Sequence, residues 1–251
     1  MATNRAKVVI NGDDLGMSDE VNRETLRWAH DGILTSATTL ATAPAFSTAP
    51  ASELVAMGVS VGVHLDFSEF APLTTNPALA PMLDADGNFK PVLRSMKPTK
   101  AFLAAVTDEA IAQVERMSEL GVTPDHLDSH HHDHFNTWMT LVLRRVRKQT
   151  GVARIRCPYT GPEIGGAKAQ FARKRGRDLQ RLAGFKTPQH FMSLDYVGDH
   201  GAETLRGLVG VVELMTHPGG HSLGATEETT ARALRDADFV ELVNYTAVDG
   251  A

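Results

Sequence analysis

Eleven histidines occur in the chain, and five of them crowd into one short segment, PDHLDSHHHDH, as His126, His130, His131, His132 and His134. Adjacent imidazoles have little use in an apolar core. Imidazole is, however, the commonest protein ligand for a catalytic divalent ion. A second concentration of chemistry lies at Asp13-Asp14, directly after the β-branched run Val8-Val9-Ile10. Two neighbouring acids at a strand end can divide labour, one binding a cation while the other handles a proton. A helix-cap aspartate beside a turn aspartate is the plainer alternative. His64, near the end of SVGVHL, and His217, in MTHPGG, stand alone in sequence but at comparable places. One carboxylate with two imidazoles leaves coordination positions open for water and substrate. His130 is expected to be a ligand. Asp128, two residues before it, is placed to orient a ligating imidazole. If the histidine segment is extended, His130, His132 and His134 share a side, and the latter two are expected as substrate contacts or outer-shell groups. His217 reads as a general acid or as a polar turn. Arg156 either pairs with a site carboxylate and holds it ionised, or is a surface arginine.

Donors so far apart in the chain must be brought together by separate elements, and no HExxH or CxxC offers a local motif. Strands are predicted at residues 8–10, 33–40, 60–65, 125–129, 153–156, 188–196 and 209–215. Helices are predicted from Ser18, as cap, to residue 30, then at 51–57, 108–120, 138–149, 203–208 and 226–242. Strands alternating with helices imply parallel pairing and right-handed crossovers. Asp13-Asp14, His64, Asp128 to His130, Arg156 and His217 then fall at C-terminal strand ends, where chemistry collects in parallel α/β folds. Residues 66–100, rich in Pro, Gly and Asp, read as a long excursion near that rim. Residues 167–181 hold six Lys/Arg against one Asp, which describes a solvated helix face or, alternatively, an anion patch.

The composition sets bounds. With 251 residues, 42% hydrophobic and 22% charged, the chain is an ordinary globular α/β candidate, expected as one domain over residues 1–251. A net charge of −5 gives no general attraction to nucleic acid or anionic membrane, so neither is expected as a partner. The single cysteine, Cys157, excludes an internal disulfide and a cysteine-rich zinc site. No apolar run at the start reads as a leader or a membrane span, and the cytoplasm is the expected compartment.

Six segments resemble the YdjC-like carbohydrate deacetylases, which include chitooligosaccharide deacetylase: VINGDDLGMS (9–18), GILTSATTL (32–40), VGVHLDFSE (61–69), PDHLDSHHHDH (124–134), RIRCPY (154–159) and ELMTHPGG (213–220). The resemblance implies a distorted (β/α) TIM-like barrel and hydrolysis of an N-acetyl group from an amino sugar or chitooligosaccharide. It implies a divalent metal on the residues matching Asp14, His64 and His130. By analogy with the wider polysaccharide deacetylases it suggests Asp13 as base and His217 as acid. Magnesium is the ion the family implies, while the donor types suit Zn, Mn, Fe or Co at least as well. The implied partner is a small N-acetylated sugar, and a homodimer is left open. Asp66 stands where the family often has Asn. Another metal-dependent hydrolase, acting on a phosphoester or cyclic amide, and a non-catalytic metal- or sugar-binding protein are the rival readings.

Overall fold

The first strand, β1 (Ala6–Leu15), is buried over nearly its whole length, and its apolar residues face the core on both sides. Strands sandwiched this way must be covered by helices on the outside and filled by side chains on the inside. In the computed structural model, which describes residues 5–160, 166–220 and 224–250, the chain continues through α1 (Asp19–His30), β2 (Ser36–Thr39), α2 (Ala51–Ala56), β3 (Ser60–Leu65), α3 (Lys100–Arg116), β4 (His126–Ser129), α4 (Met139–Thr150), β5 (Arg154–Ile155), α5 (Ala167–Leu182), β6 (His190–Ser193), α6 (Leu194–His200), β7 (Val211–Thr216), α7 (Gly224–Asp236) and β8 (Val240–Leu242).

All pairings between these strands are parallel, in the order β5-β4-β3-β2-β1-β7-β6, with β8 beside the start of β1. The sheet curls into a half-barrel flanked by helices, the TIM-like α/β architecture expected from the sequence. Its two edges meet through a few bonds: Ile155 N–H donates to the Lys186 carbonyl at 3.0 Å, and Thr160 N–H to the Phe191 carbonyl at 2.9 Å. Among the described residues, no helix is long and apolar enough to cross a membrane.

Several boundaries differ from expectation, each for a tertiary or capping reason. β1 does not stop at Asn11-Gly12. It runs on to Leu15 with a register shift against β2, because pairing continues beyond Asn11: Gly12 pairs with Ala37 and Thr216, and Leu15 with Thr39. The helix expected at 108–120 begins at Lys100, capped by Thr99 Oγ1 on Phe102 N–H, and the tail Met117–Leu120 tightens into a 3-10 turn. The helix expected at 203–208 is a single 3-10 turn, Ala202–Leu205; the regular helix is α6, begun by Ser193 Oγ accepting from Tyr196 N–H. That cap also ends the strand expected over 188–196. The predicted helix over 226–242 stops at Asp236, and Val240–Leu242 becomes β8 by pairing with Ala6–Val8.

The excursion after β3 is packed rather than loose. Leu79, Met82, Phe89 and Leu93 are buried in it. α3 pins it: Glu109 accepts from the Leu73 and Thr74 N–H groups, and Gln113 bonds both the N–H and the carbonyl of Asp66.

Candidate functional site

At the C-terminal end of β1, Asp14 takes a left-handed backbone (φ 67°), which aspartate tolerates better than most residues. That twist brings two consecutive carboxylates, which would alternate on a regular strand, into one region. Asp14 Oδ1 lies 3.3 Å from His64 Nε2, at the end of β3, and 3.1 Å from His130 Nδ1, just past β4. Neither contact has hydrogen-bond geometry, and this buried oxygen has no donor directed at it among the described residues. Asp14, His64 and His130 thus offer three ligand atoms within 4.8 Å of one another, the trio expected from the sequence.

The surroundings set the charge. His64 Nδ1 meets Asp128 Oδ1 at 2.6 Å. Burial disfavours the His64 imidazolium, but the carboxylates of Asp128, Asp13 and Asp14 outweigh it and push its pKa well above the usual value. Burial likewise works against ionised Asp14, and the two imidazoles overcome it and hold the carboxyl well below the usual range. The point between these groups favours positive charge.

Asp13 is 1% exposed. Arg156 Nη2 and Nη1 donate to its Oδ1 and Oδ2 at 2.6 and 2.7 Å, and Asn11 Nδ2 adds a bond to Oδ1 at 2.8 Å. Burial would raise this carboxyl, but the charge and hydrogen bonds of Arg156 hold it far below its ordinary value. Of the two readings of Arg156, pairing is the one observed. The guanidinium is fully buried, also reaches Asp128 Oδ2 at 2.8 Å and Glu213 Oε1 at 2.7 Å, and lies over the Phe191 ring. Tyr245 completes the cluster by donating to Glu213 Oε2 at 2.8 Å.

The histidine segment is not extended. His130–Phe135 is a kinked run of tight turns in which His131 (φ 52°) and His132 (φ 58°) are both left-handed and not helical. Two such residues in succession reverse the chain, so His130 is separated from His132 and His134, whose own rings meet edge to face with centroids 6.4 Å apart. His132 packs against Phe135, Tyr159 and Phe191, and His134 turns back to bond Ser129 Oγ through Nδ1 at 2.6 Å. Neither lines the adjoining cleft. His131 does.

That cleft encloses about 520 Å³ and is lined by Asp14, Glu69, His130, His131, Asp195, His217 and Glu227, among others, with no lysine or arginine among its described lining. His217 follows β7, and its N–H donates to Glu227 Oε2 at 3.3 Å. Burial and the neighbouring Asp195 raise the Glu227 carboxyl, against the pull of His217. Among its described residues, the basic helix α5 contributes nothing to this lining. Sequence reasoning missed Glu69, Asp195, Glu213 and Glu227. A lone charge inside the apolar run VVELM was a usable signal for Glu213; the other three had no local pattern to betray them.

A carbohydrate deacetylase of Vibrio campbellii is 30% identical over 220 residues, covering 84% of this chain and 78% of that one. One of Vibrio cholerae serotype O1 is 32% identical over 165 residues, covering 66% of this chain and 64% of that one, so this match spans just under two thirds of the relative's length. The crystal structure of a protein from Enterococcus faecalis V583 superposes with a TM-score of 0.73 at 22% identity over 97% of this chain and 99% of that one, which shows a common fold. The profile of the YdjC-like family runs through residues 7–244, from β1 to beyond β8. On that match, the chain belongs to the YdjC-like family.

Proposed function

We propose that this chain removes N-acetyl groups from amino sugars by hydrolysis, using a divalent cation held by Asp14, His64 and His130. The observation that carries the reading is the convergence of those three donors beside an arginine-clamped carboxylate, on a cleft that also holds His217. The residues fit a cation: Asp14 Oδ1 is buried, lacks a hydrogen bond and lies between two imidazole nitrogens. Two imidazoles and one carboxylate suit Zn, Mn, Fe or Co at least as well as the magnesium implied by family resemblance. A cation bound there supplies Lewis acidity, which makes water acidic near neutrality and draws charge onto an acyl oxygen.

The chain's own groups handle the protons. Arg156 donates to both Asp13 oxygens and Asn11 adds a second bond to Oδ1 alone, so Oδ2, which has the one donor and lies 3.9 Å from His64 Nε2, is the oxygen assigned to take a proton from the attacking water. Arg156 keeps the carboxylate ionised and aimed, at some expense of basicity. As the water oxygen bonds to the acetyl carbon, the carbon–nitrogen bond breaks and His217 gives a proton to the leaving amine. Acetate and a free amino sugar result. A cleft bearing carboxylates and, among its described lining, no lysine or arginine suits a neutral or amine-bearing sugar. The names of the two Vibrio relatives support the same reaction class.

Acetate release from N-acetylglucosamine oligomers, lost on chelation and restored by metal, is the expected result. Phosphate release from sugar phosphates without acetate release, or sugar binding without turnover in the metal-loaded protein, would overturn the reading.

A further inference from the structure

His64 and His130 face Asp14 Oδ1 through opposite ring nitrogens, Nε2 and Nδ1, and in each ring the other nitrogen meets a carboxylate. For His64 the partner is Asp128, fully buried on the neighbouring strand. For His130 it is Glu69 Oε2, 2.7 Å from Nε2, on the excursion after β3, with a side chain 44% exposed. A hydrogen bond from one imidazole nitrogen puts the proton there and leaves the lone pair on the other.

We propose that Glu69 is a positioning residue: it accepts from His130 Nε2–H, so that the Nδ1 lone pair faces Asp14 and His64, and thereby tightens the cation site those three residues form. The inference rests on the ligand set given above. The excursion is built to hold Glu69 in place. Asp66 accepts from the successive N–H groups of Ser68, Glu69 and Phe70 at 2.9, 3.0 and 2.9 Å, while Gln113 of α3 clamps the Asp66 backbone. The excursion also grips the left-handed turn next to His130. Ser68 Oγ lies 2.9 Å from His131 Nδ1, and Arg94 Nη2 donates to the His131 carbonyl at 2.5 Å. The same stretch of chain thus fixes both the ring of His130 and the backbone that follows it.

Glu69, His130 and His131 also present three ligand atoms within 4.8 Å, which would suit a second cation. The bonding favours positioning, since His130 Nε2 is already engaged by Glu69 and His131 Nδ1 by Ser68.

The test is metal titration with stoichiometry on the full chain, as wild type, Glu69→Gln, Glu69→Ala and the surface control Glu119→Gln, alongside nitrogen NMR of the His130 ring in chelated protein. One ion per chain is expected. Affinity should fall roughly 10–100-fold in Glu69→Ala, less in Glu69→Gln, which keeps an acceptor oxygen, and not in the control. At a pH above its raised pKa, where the ring is neutral, the wild-type ring should carry its proton on Nε2, and Glu69→Ala should mix the tautomers. Unchanged affinity in Glu69→Ala, an unchanged tautomer, or two ions in wild type falling to one in that variant would overturn the proposal. Full metal binding by His64→Ala would instead remove the ligand set, and the ring tautomer would still decide the role of Glu69.

Discussion

Arg156 grips both carboxylate oxygens of Asp13, at 2.6 and 2.7 Å, with neither residue in appreciable contact with solvent. The same guanidinium answers Asp128 and Glu213, so one cation balances three buried carboxylates. Removing one partner of a buried ion pair leaves uncompensated charge, at roughly 3–5 kcal/mol. Arg156→Leu should lose stability of that order in urea unfolding. Arg156→Lys should recover only part of it, because an ammonium cannot form the two-pronged contact. Near-wild-type stability in Arg156→Leu would contradict this picture of the core.

Asp13 and His217 are assigned proton transfers, and removing a positioned acid or base typically lowers rate by roughly 10²–10⁴-fold. Asp13→Asn and His217→Ala should each show such a loss in acetate release while binding metal stoichiometrically. Loss of metal together with rate in His217→Ala would show that its role had been misread.

Asp14→Ala, His64→Ala and His130→Ala should each bind metal far more weakly than wild type. Metal addition should raise the melting temperature of the wild type, because a ligand that binds only the folded chain stabilises it by mass action. Melting curves of the three variants should not respond to metal at concentrations that saturate the wild type.

Acid should destabilise the fold through His132 and His134. Burial, reinforced for His132 by the charge of Arg156, lowers the His132 pKa to about 3, and burial also holds His134 well below the usual value. Both rings stay neutral in the folded chain and take up protons near 6.5 once unfolded. The contribution of His132 is therefore intact above about pH 6.5 and is lost as pH falls from there toward about 3, at up to about 1.4 kcal/mol per unit, and that of His134 falls in the same direction. His132→Phe should shrink the drop in urea midpoint between pH 7 and pH 5. An unchanged drop would mean that His132 is not held neutral.

Gly62 tests the packing beneath the site. A Cβ there would lie 2.6 Å from His126 Cε1, and that ring is stacked on Tyr245 with centroids 3.9 Å apart. Gly62→Ala should cost about 1–3 kcal/mol, as overpacking does. A tolerated substitution would show that the His126–Tyr245 stack can shift.

The strand ends that carry Asp13, Asp14, His64, His130 and His217 were legible because β-branched and apolar runs bounded by turn residues mark strands, and parallel strands deliver their C-terminal residues to one rim. Element ends were less legible. Thr99 and Ser193 begin helices by side-chain capping inside stretches whose hydrophobic pattern points elsewhere, and β8 exists only through its pairing with β1.

Donor types, their order along the chain and their strand-end placement were determined by the sequence alone, since each depends on residues within a few positions. Only the tertiary structure decided which nitrogen of each imidazole faces Asp14, that the histidine segment reverses at His131 and His132, and that Glu69 and Glu213 belong to the site. Those outcomes depend on hydrogen bonds between residues 61 positions apart, as for Glu69 and His130, or 57, as for Arg156 and Glu213. No local periodicity encodes contacts of that range; they form only when the half-barrel brings separate strands to one rim.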